Sequence, residues 1–336
     1  MKNSTMAGKK VAVTGASGFI AAYLVKDLLE RGYYVRGTVR NPDDLSKVGF
    51  LLDLPGAKER LTLYKADLLA TGSFDEVVDG VDGVFHTASP FFTTKATDPQ
   101  AELLDPAVKG TMNLLEAANK ARSVKRVVLI SSIAAMVHNK KPRTPTTFVD
   151  ETWWTDPELC KERGAWYPLS KTLAEQVAWD YVKGKHFDLV VVNPAYVIGT
   201  MLQPTLNASS ELILNYLSGA IKKYENSVLG VVDVKDVSLA QILAYEKPEA
   251  EGRHLLIESV VHTRELVEML RRLFPGYPVP TEPAYDVKQV ADMAPYQTNT
   301  SKAQKLGVTF HSFESQLVDL VTSLQQKGYL QNVSKY

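Results

Sequence analysis

Tyr167 and Lys171 stand four residues apart in the stretch Trp166-Tyr167-Pro168-Leu169-Ser170-Lys171. That spacing puts both side chains on one face of a helix, one turn apart. A phenol beside an ammonium can deliver a proton to an oxygen, because the cation favours the phenolate and lowers the tyrosine pKa towards working pH. The same spacing also arises by chance on exposed helices, so the elements around the pair have to decide. Upstream, Arg126-Val127-Val128-Leu129-Ile130-Ser131-Ser132 reads as a strand ending in two hydroxyls, either of which can bond the same oxygen. Pro168 lacks an amide hydrogen and restricts the residue before it, and a helix tolerates this only in its first turn. The helix is therefore expected to start within a residue or two of Tyr167 and to continue through Leu173, Val177 and Tyr181.

A strand at Lys10-Val11-Ala12-Val13-Thr14 breaks into Gly15-Ala16-Ser17-Gly18-Phe19-Ile20-Ala21-Ala22, followed by an amphipathic helix through Leu24, Leu28 and Leu29. Strand, glycine turn and helix form the setting of a dinucleotide fingerprint. Gly15 permits the tight turn, Gly18 lets the backbone approach a pyrophosphate, and small Ala21 lets helix and strand pack closely. The next strand, Tyr34 to Arg40, ends in a cation instead of the acid that grips a ribose diol, and Lys47 follows seven residues on. Cations there suit a 2′-phosphate, so NADPH is expected over NADH, the alternative being two solvated surface charges.

Further strands at Leu61–Leu68 (Asp67 near its carboxyl edge), Val84–Ser89, Arg126–Ser132 and Asp188–Asn193 alternate with helical segments. This rhythm predicts an α/β fold, a Rossmann doubly wound parallel sheet whose ligands bind at the strands' carboxyl ends. His86 inside its apolar strand reads as a packed core histidine, and Asn113 in the helix Leu103–Lys120 as structural support. Val137 to Trp154 reads as a surface loop with a solvated Lys140-Lys141-Pro142-Arg143 run. Beyond Pro194–Gly199 the rhythm is lost: a polar loop Met201–Ser210, a helix Leu212–Tyr224, a proline-rich passage Pro275–Pro283 and a final helix Phe313–Gln326. We expect residues 1–198 to form the dinucleotide-binding part, with a segment near 231–244 returning to it. Residues 199–336 then mainly form a smaller substrate-binding portion.

Of 336 residues, 45% are hydrophobic and 23% charged, which is ordinary for a soluble protein with a large core. Lys+Arg and Asp+Glu both number 38, so no global field recruits nucleic acid or a membrane surface. The single cysteine, Cys160, cannot form an internal disulfide, which fits a reducing compartment. No apolar run approaches the ~20 residues of a membrane helix, and the polar start Met1–Lys10 does not read as a signal peptide. The expectation is a cytoplasmic monomer or homodimer without a metal, acting on a small-molecule carbonyl substrate.

Together these motifs resemble the short-chain dehydrogenase/reductase superfamily in its extended form, over nearly the whole chain. Thr14-Gly15-x-x-Gly18-x-x-Ala21 is similar to that group's glycine motif, with alanine for the third glycine. Val39-Arg40-Asn41-Pro42, Thr87-Ala88-Ser89-Pro90, Lys109-Gly110-Thr111-Met112-Asn113-Leu114-Leu115 and Gln203-Pro204-Thr205-Leu206-Asn207-Ala208-Ser209 resemble the plant dihydroflavonol reductase and cinnamoyl-CoA reductase branch.

The resemblance implies Tyr167 as proton donor, Lys171 lowering its pKa and binding the nicotinamide ribose, and Ser132, beside the Ile-Ala-Ala run, bonding the substrate oxygen. It implies Gly15, Ser17, Gly18, Phe19 and Ile20 at the cofactor phosphates, Arg40 and Lys47 at the 2′-phosphate, and Asp67 and Leu68 at the adenine. Thr87, Ala88 and Ser89 would follow the diphosphate and ribose, and Pro194, Ala195, Val197 and Ser209 would border the nicotinamide. Cinnamoyl-CoA reductases carry Asn-Trp-Tyr-Cys-Tyr-Gly-Lys where this chain has Ala165 to Lys171. They also place cations for coenzyme A phosphates at positions matched here by Leu212, Asn215 and Thr263, with Arg264 adjacent. These departures point to a reductase-like relative that accepts free aldehydes or ketones. The alternatives are reduction of a hydroxycinnamoyl-CoA thioester, a dihydroflavonol-type ketone reduction, and a non-catalytic NADP-binding regulator. Phe91, Phe92, Met136 and Tyr196 are candidates for an apolar pocket wall.

Overall fold

The computed structural model describes residues 8–89 and 97–332, so Pro90, Phe91 and Phe92 lie outside the described residues. In chain order the elements are β1 (Lys10–Val13), α1 (Phe19–Glu30), β2 (Tyr34–Val39), α2 (Leu45–Leu52), α3 (Ala57–Arg60), β3 (Leu61–Lys65), α4 (Asp75–Val78) and β4 (Gly83–His86). A π-helical turn (Gln100–Leu104) leads into α5 (Asp105–Ala121), then β5 (Arg126–Ile130), α6 (Ala134–Val137), β6 (Phe148–Val149), α7 (Pro157–Glu162) and α8 (Trp166–Val182). Next come β7 (Asp188–Pro194), β8 (Tyr196–Ile198), α9 (Ala208–Leu217), β9 (Val228–Asp233), α10 (Val234–Glu246) and β10 (Gly252–Leu256). The described chain ends with β11 (Ser259–His262), α11 (Thr263–Leu273), β12 (Gln297–Thr298), α12 (Ser301–Lys305) and α13 (Phe313–Gln326).

The main strands are runs of β-branched residues that alternate between two cores. Val11 and Val13 pack with α1 and α10 on one face, while Ala12 packs with α4 and α5 on the other. Val128 and Ile130 against Val127 and Leu129 repeat the division in β5, as do Val190 and Val192 against Leu189 and Val191 in β7. A sheet buried on both faces needs helices on both, and this is the doubly wound arrangement. Its seven strands run in the order β10-β7-β5-β4-β1-β2-β3, every neighbour parallel. The order reverses between β1 and β4, where such sheets open a crevice for ligands.

β7 passes through Ala195 directly into β8, which starts a second, three-stranded sheet of order β11-β9-β8. The chain returns through α10, packed along α1, and through β10, which takes the sheet's edge beside β7. Among the described residues no helix is long and apolar enough to cross a membrane.

Three expectations shift. The segment Val137–Trp154 holds the short strand β6, which pairs in parallel with β12 from more than a hundred residues on, a contact no local pattern announces. α9 begins at Ala208, behind the extended Asn207, and stops at Leu217, where Gly219 takes φ +69°; the expected span Leu212–Tyr224 was displaced along the chain. In α8, Leu173, Val177 and Tyr181 are only half-buried, while the buried face carries Leu169, Lys171, Ala174, Glu175 and Ala178. The helix does start at Trp166, with Pro168 in its first turn.

Candidate active site

A cavity of about 550 Å³ opens at the carboxyl ends of β1, β4, β5 and β7, within the size range of ligand pockets. Gly15 and the run Gly18 to Ala21 supply one wall, Ile130 to Ala134 and the start of α8 the floor, and Pro194 to Val197 with Leu206 to Ser209 the opposite side.

The glycine wall is built for close approach. Gly15 adopts φ +66°, and a Cβ there would stand 3.1 Å from that of Ala88. At Gly18 a Cβ would come 3.2 Å from the Gly15 carbonyl oxygen. Gly18 offers α1 no side-chain cap and the first turn carries no acid, so the donors of Phe19, Ile20 and Ala21 remain for an anion in the cavity that they line. Thr14 locks this wall to β4: its hydroxyl oxygen accepts from the backbone nitrogens of Thr87 (3.1 Å) and Ala88 (3.0 Å) and donates to His86 Nδ1 at 2.9 Å. Thr38 holds the other side, accepting from Gly15 N at 3.0 Å. His86 is fully buried and its pKa is pushed down to about 3, first by burial and then by Lys171, so it is the neutral core histidine expected.

The floor carries the candidate catalytic groups. Backbone bonds from Ser131 N to Val192 O and from Ile133 N to Pro194 O, both 2.9 Å, set the turn after β5 against β7. Ser131 and Ser132 then diverge. Ser131 donates to buried Glu175 at 2.6 Å, whereas Ser132 hydrogen-bonds the Tyr167 side chain in the cavity. Lys171 lies one helical turn from Tyr167, its ammonium 5.9 Å from the ring centre. The Glu175 carboxylate is bonded to Arg253, and Lys171 has no salt bridge among the described residues.

One electrostatic expectation is corrected. The Tyr167 pKa lies above the ordinary tyrosine value because burial opposes the phenolate, and the hydrogen bond with Ser132 pulls it only partly back. Lys171 does not hold it down; the lysine is itself pushed down to about 8 by burial, with Glu175 pulling it back up. Tyr167 is thus a protonated phenol, the form a proton donor requires.

Of the candidate residues, Gly15, Gly18, Phe19, Ile20, Thr87, Ser89, Ser132, Tyr167, Lys171, Pro194, Ala195, Val197 and Ser209 all line the cavity. Ser209 bonds the Val197 carbonyl at 2.5 Å, closing the loop onto β8. Ser17, Arg40, Lys47, Asp67, Leu68 and Ala88 do not line it. Arg40 is exposed at the end of β2 without an ion pair among the described residues, whereas Lys47 is paired with Asp44 at 3.2 Å. Asp67 caps its own turn, bonding Leu69 N at 2.9 Å, and the Leu68 carbonyl is held by Asn113 at 2.7 Å, which makes Asn113 the structural support expected. Tyr196 lines the cavity, but Met136 is fully buried in the core and is no part of its wall.

Thr14, Thr38 and Glu175 were not singled out from the sequence. Thr14 and Thr38 act through strands far apart in the chain. Glu175 had a signal: it continues the four-residue stripe of Tyr167 and Lys171.

The profile of the NAD dependent epimerase/dehydratase family matches residues 11–257. A cinnamoyl-CoA reductase of Medicago truncatula is 51% identical over 327 residues, covering 97% of this chain and 99% of its own. The crystal structure of vestitone reductase from alfalfa (Medicago sativa) superposes with a TM-score of 0.81 at 30% identity, covering 96% of this chain and 99% of that one. The yeast methylglyoxal/isovaleraldehyde reductase, solved with NADPH, superposes with a TM-score of 0.83 at 30% identity over 96% of this chain and 100% of that one. The chain thus belongs to the NAD dependent epimerase/dehydratase family, the extended short-chain dehydrogenase/reductases, and is an NAD(P)-dependent oxidoreductase.

Proposed function

We propose that the protein reduces the carbonyl group of an aromatic or phenylpropanoid aldehyde or ketone to the alcohol with NADPH. The observation that carries this reading is the convergence of Ser132, Tyr167 and Lys171 on the cavity floor, opposite the glycine wall. NADPH, when bound, supplies the hydride. The residues that fit it are the open donors of α1, Lys171 for a ribose hydroxyl, and Arg40 for the 2′-phosphate, whose charge that guanidinium complements. As charge develops on the carbonyl oxygen, Ser132 bonds it and Tyr167 Oη gives up its proton to it. Apolar Ile133, Ala134 and Leu206, with the ring of Tyr196, suit an aromatic substrate.

A second reading, reduction of a hydroxycinnamoyl-CoA thioester to the aldehyde, is favoured by the 51% identity to a protein of that name. Against it stands the cation that would have to meet the coenzyme's phosphates. Arg264 is already neutralised by Asp292, with Nη1 at 2.6 Å from Oδ2 and Nη2 at 2.9 Å from Oδ1. Leu212 and Asn215 offer α9 no charge.

The test is NADPH oxidation with phenylacetaldehyde, coniferaldehyde and feruloyl-CoA, wild type beside Tyr167→Phe. Turnover of an aldehyde that drops about 10²- to 10⁴-fold in the variant is expected, the size of a lost general acid. Undiminished turnover by Tyr167→Phe would sink the assignment of the proton donor. Turnover of feruloyl-CoA alone would establish the second reading.

A further inference from the structure

A second polar assembly lies beneath the cavity floor, and the reaction as described does not use it. Tyr167, Lys171 and Glu175 follow one another at four-residue intervals along α8, so Glu175 stands one turn deeper than the lysine. It is fully buried. Its Oε1 takes Arg253 Nε at 2.6 Å and Trp179 Nε1 at 3.3 Å. Its Oε2 takes Ser131 Oγ at 2.6 Å, Asn193 Nδ2 at 2.9 Å and Arg253 Nη2 at 3.3 Å. Arg253 comes from β10, the last strand to join the sheet, and also bonds the carbonyl oxygens of Glu151 (3.1 Å), Trp153 and Ala135 (3.4 Å). Trp154 lies over its guanidinium at 3.9 Å.

A buried ion pair is weak evidence for stability, because apolar residues of equal volume often fold as well or better. What sets this one apart is its set of partners. Through Ser131 and Asn193 it holds the ends of β5 and β7; through the Ala135 carbonyl it holds the turn that presents Ser132; through α8 it stands under Lys171. We propose that Glu175, clamped by Arg253, is a positioning residue that fixes Lys171 and the end of β5 relative to one another and supplies the buried counter-charge that, among the described residues, acts on that lysine. The inference rests on the reading of Tyr167 and Lys171 given above.

The groups facing Lys171 are few. Tyr167 and Glu175 share its helix, and neutral His86 faces it from β4. Arg253 from β10 faces Glu175. α6 carries no charged residue, α7 turns buried Cys160 towards Leu104 and Leu169, and the charges of α5 and α7 pair at the surface, as in Lys109–Asp105 and Lys161–Glu158. Removing the Glu175 charge therefore deprives Lys171 of its carboxylate and leaves Arg253 buried without its ion pair, unless Arg253 is removed as well. Glu175 pulls the Lys171 pKa upwards, so its loss lets the ammonium deprotonate at lower pH.

The experiment measures kcat for NADPH-dependent reduction of phenylacetaldehyde, or whichever aldehyde the panel above selects, from pH 6 to pH 10. It compares wild type, Glu175→Gln, the charge-free pair Glu175→Gln/Arg253→Met, and Tyr167→Phe, with thermal melts of each. Wild type is expected to lose activity on an alkaline limb near the Lys171 value of about 8. In both Glu175 variants that limb moves down by roughly one pH unit, the scale of removing one nearby charge from a protein interior. Should Glu175→Gln not fold, the charge-free pair decides, since it removes both charges of the buried Glu175–Arg253 ion pair. A folded variant with the wild-type limb, a wild-type profile flat to pH 10, or failure of both variants to fold would overturn the proposal, the last by making the pair a requirement for folding. A fully active Tyr167→Phe would instead overturn the reading of the site on which it rests.

Discussion

At the scale of single residues, the proposed preference for NADPH rests on one exposed guanidinium. Arg40 ends β2 where an acid would select the ribose diol, and it has no ion pair among the described residues to neutralise it. Lys47 is less available, because Asp44 holds its ammonium at 3.2 Å in an exposed pair. A charge-assisted bond to phosphate is worth about 1.5–3 kcal/mol, so Arg40→Ala should raise the KM for NADPH about 10- to 100-fold. The KM for NADH should stay within about twofold, since that cofactor has no 2′-phosphate to lose. Lys47→Ala should change either value far less. An equal rise for both cofactors in Arg40→Ala would mean that the residue supports the fold of the loop and does not read the phosphate.

At the scale of elements, the site exists because two strand ends are tied together at the point where the sheet reverses its order. Thr14 does the tying, accepting from Thr87 and Ala88 and donating to His86. Thr14→Val keeps the shape and leaves two part-buried backbone donors and a buried ring nitrogen without partners. That should cost about 2–4 kcal/mol and weaken NADPH binding, read as a lower Tm and a raised Kd by fluorescence titration. An unchanged Tm would show that water replaces the hydroxyl and that the tie is dispensable. The strand–glycine–helix unit, the parallel sheet and the Tyr167–Lys171 stripe were all legible in the sequence, because periodicity and turn chemistry are local properties. Thr14 was not, since its partners lie more than seventy residues away and a threonine at a strand end is otherwise unremarkable in composition. Arg253 and Glu175 were hidden for the same reason, being 78 residues apart. The pairing of β6 with β12 was hidden too, because a two-residue strand has no period to detect. The expected start of α9 is displaced because Ala208-Ser209-Ser210 reads as loop chemistry, while the extended Asn207, whose carbonyl accepts from Glu211 N at 2.9 Å, makes it a first turn.

At the scale of the whole molecule, zero formal charge at pH 7 removes any net field there, and the buried groups with the largest shifts contribute most to the pH dependence of stability. His86 is pushed down to about 3 and His254 to about 4, each chiefly by burial. Both are neutral in the folded chain and protonate near 6.5 when unfolded. Between pH 6.5 and 4 the unfolded chain therefore binds more protons, and stability falls as pH falls. Asp233 works in the opposite sense. Burial raises it to about 6, so across pH 6 to 3.8 the folded chain binds the extra proton and gains stability on acidification. Two histidines against one carboxylate leave a net loss of roughly 5 kcal/mol at most by pH 4. For a chain of this size that corresponds to a fall in Tm of at most about 7 °C, measured by calorimetry at matched ionic strength. His254→Gln cannot take up a proton, so its Tm should fall less between pH 6.5 and 4 even if it begins lower. Asp233→Asn should fall more steeply than wild type, since the opposing carboxylate is gone. Parallel Tm curves for wild type and both variants would show that groups other than these set the acid limit of the fold.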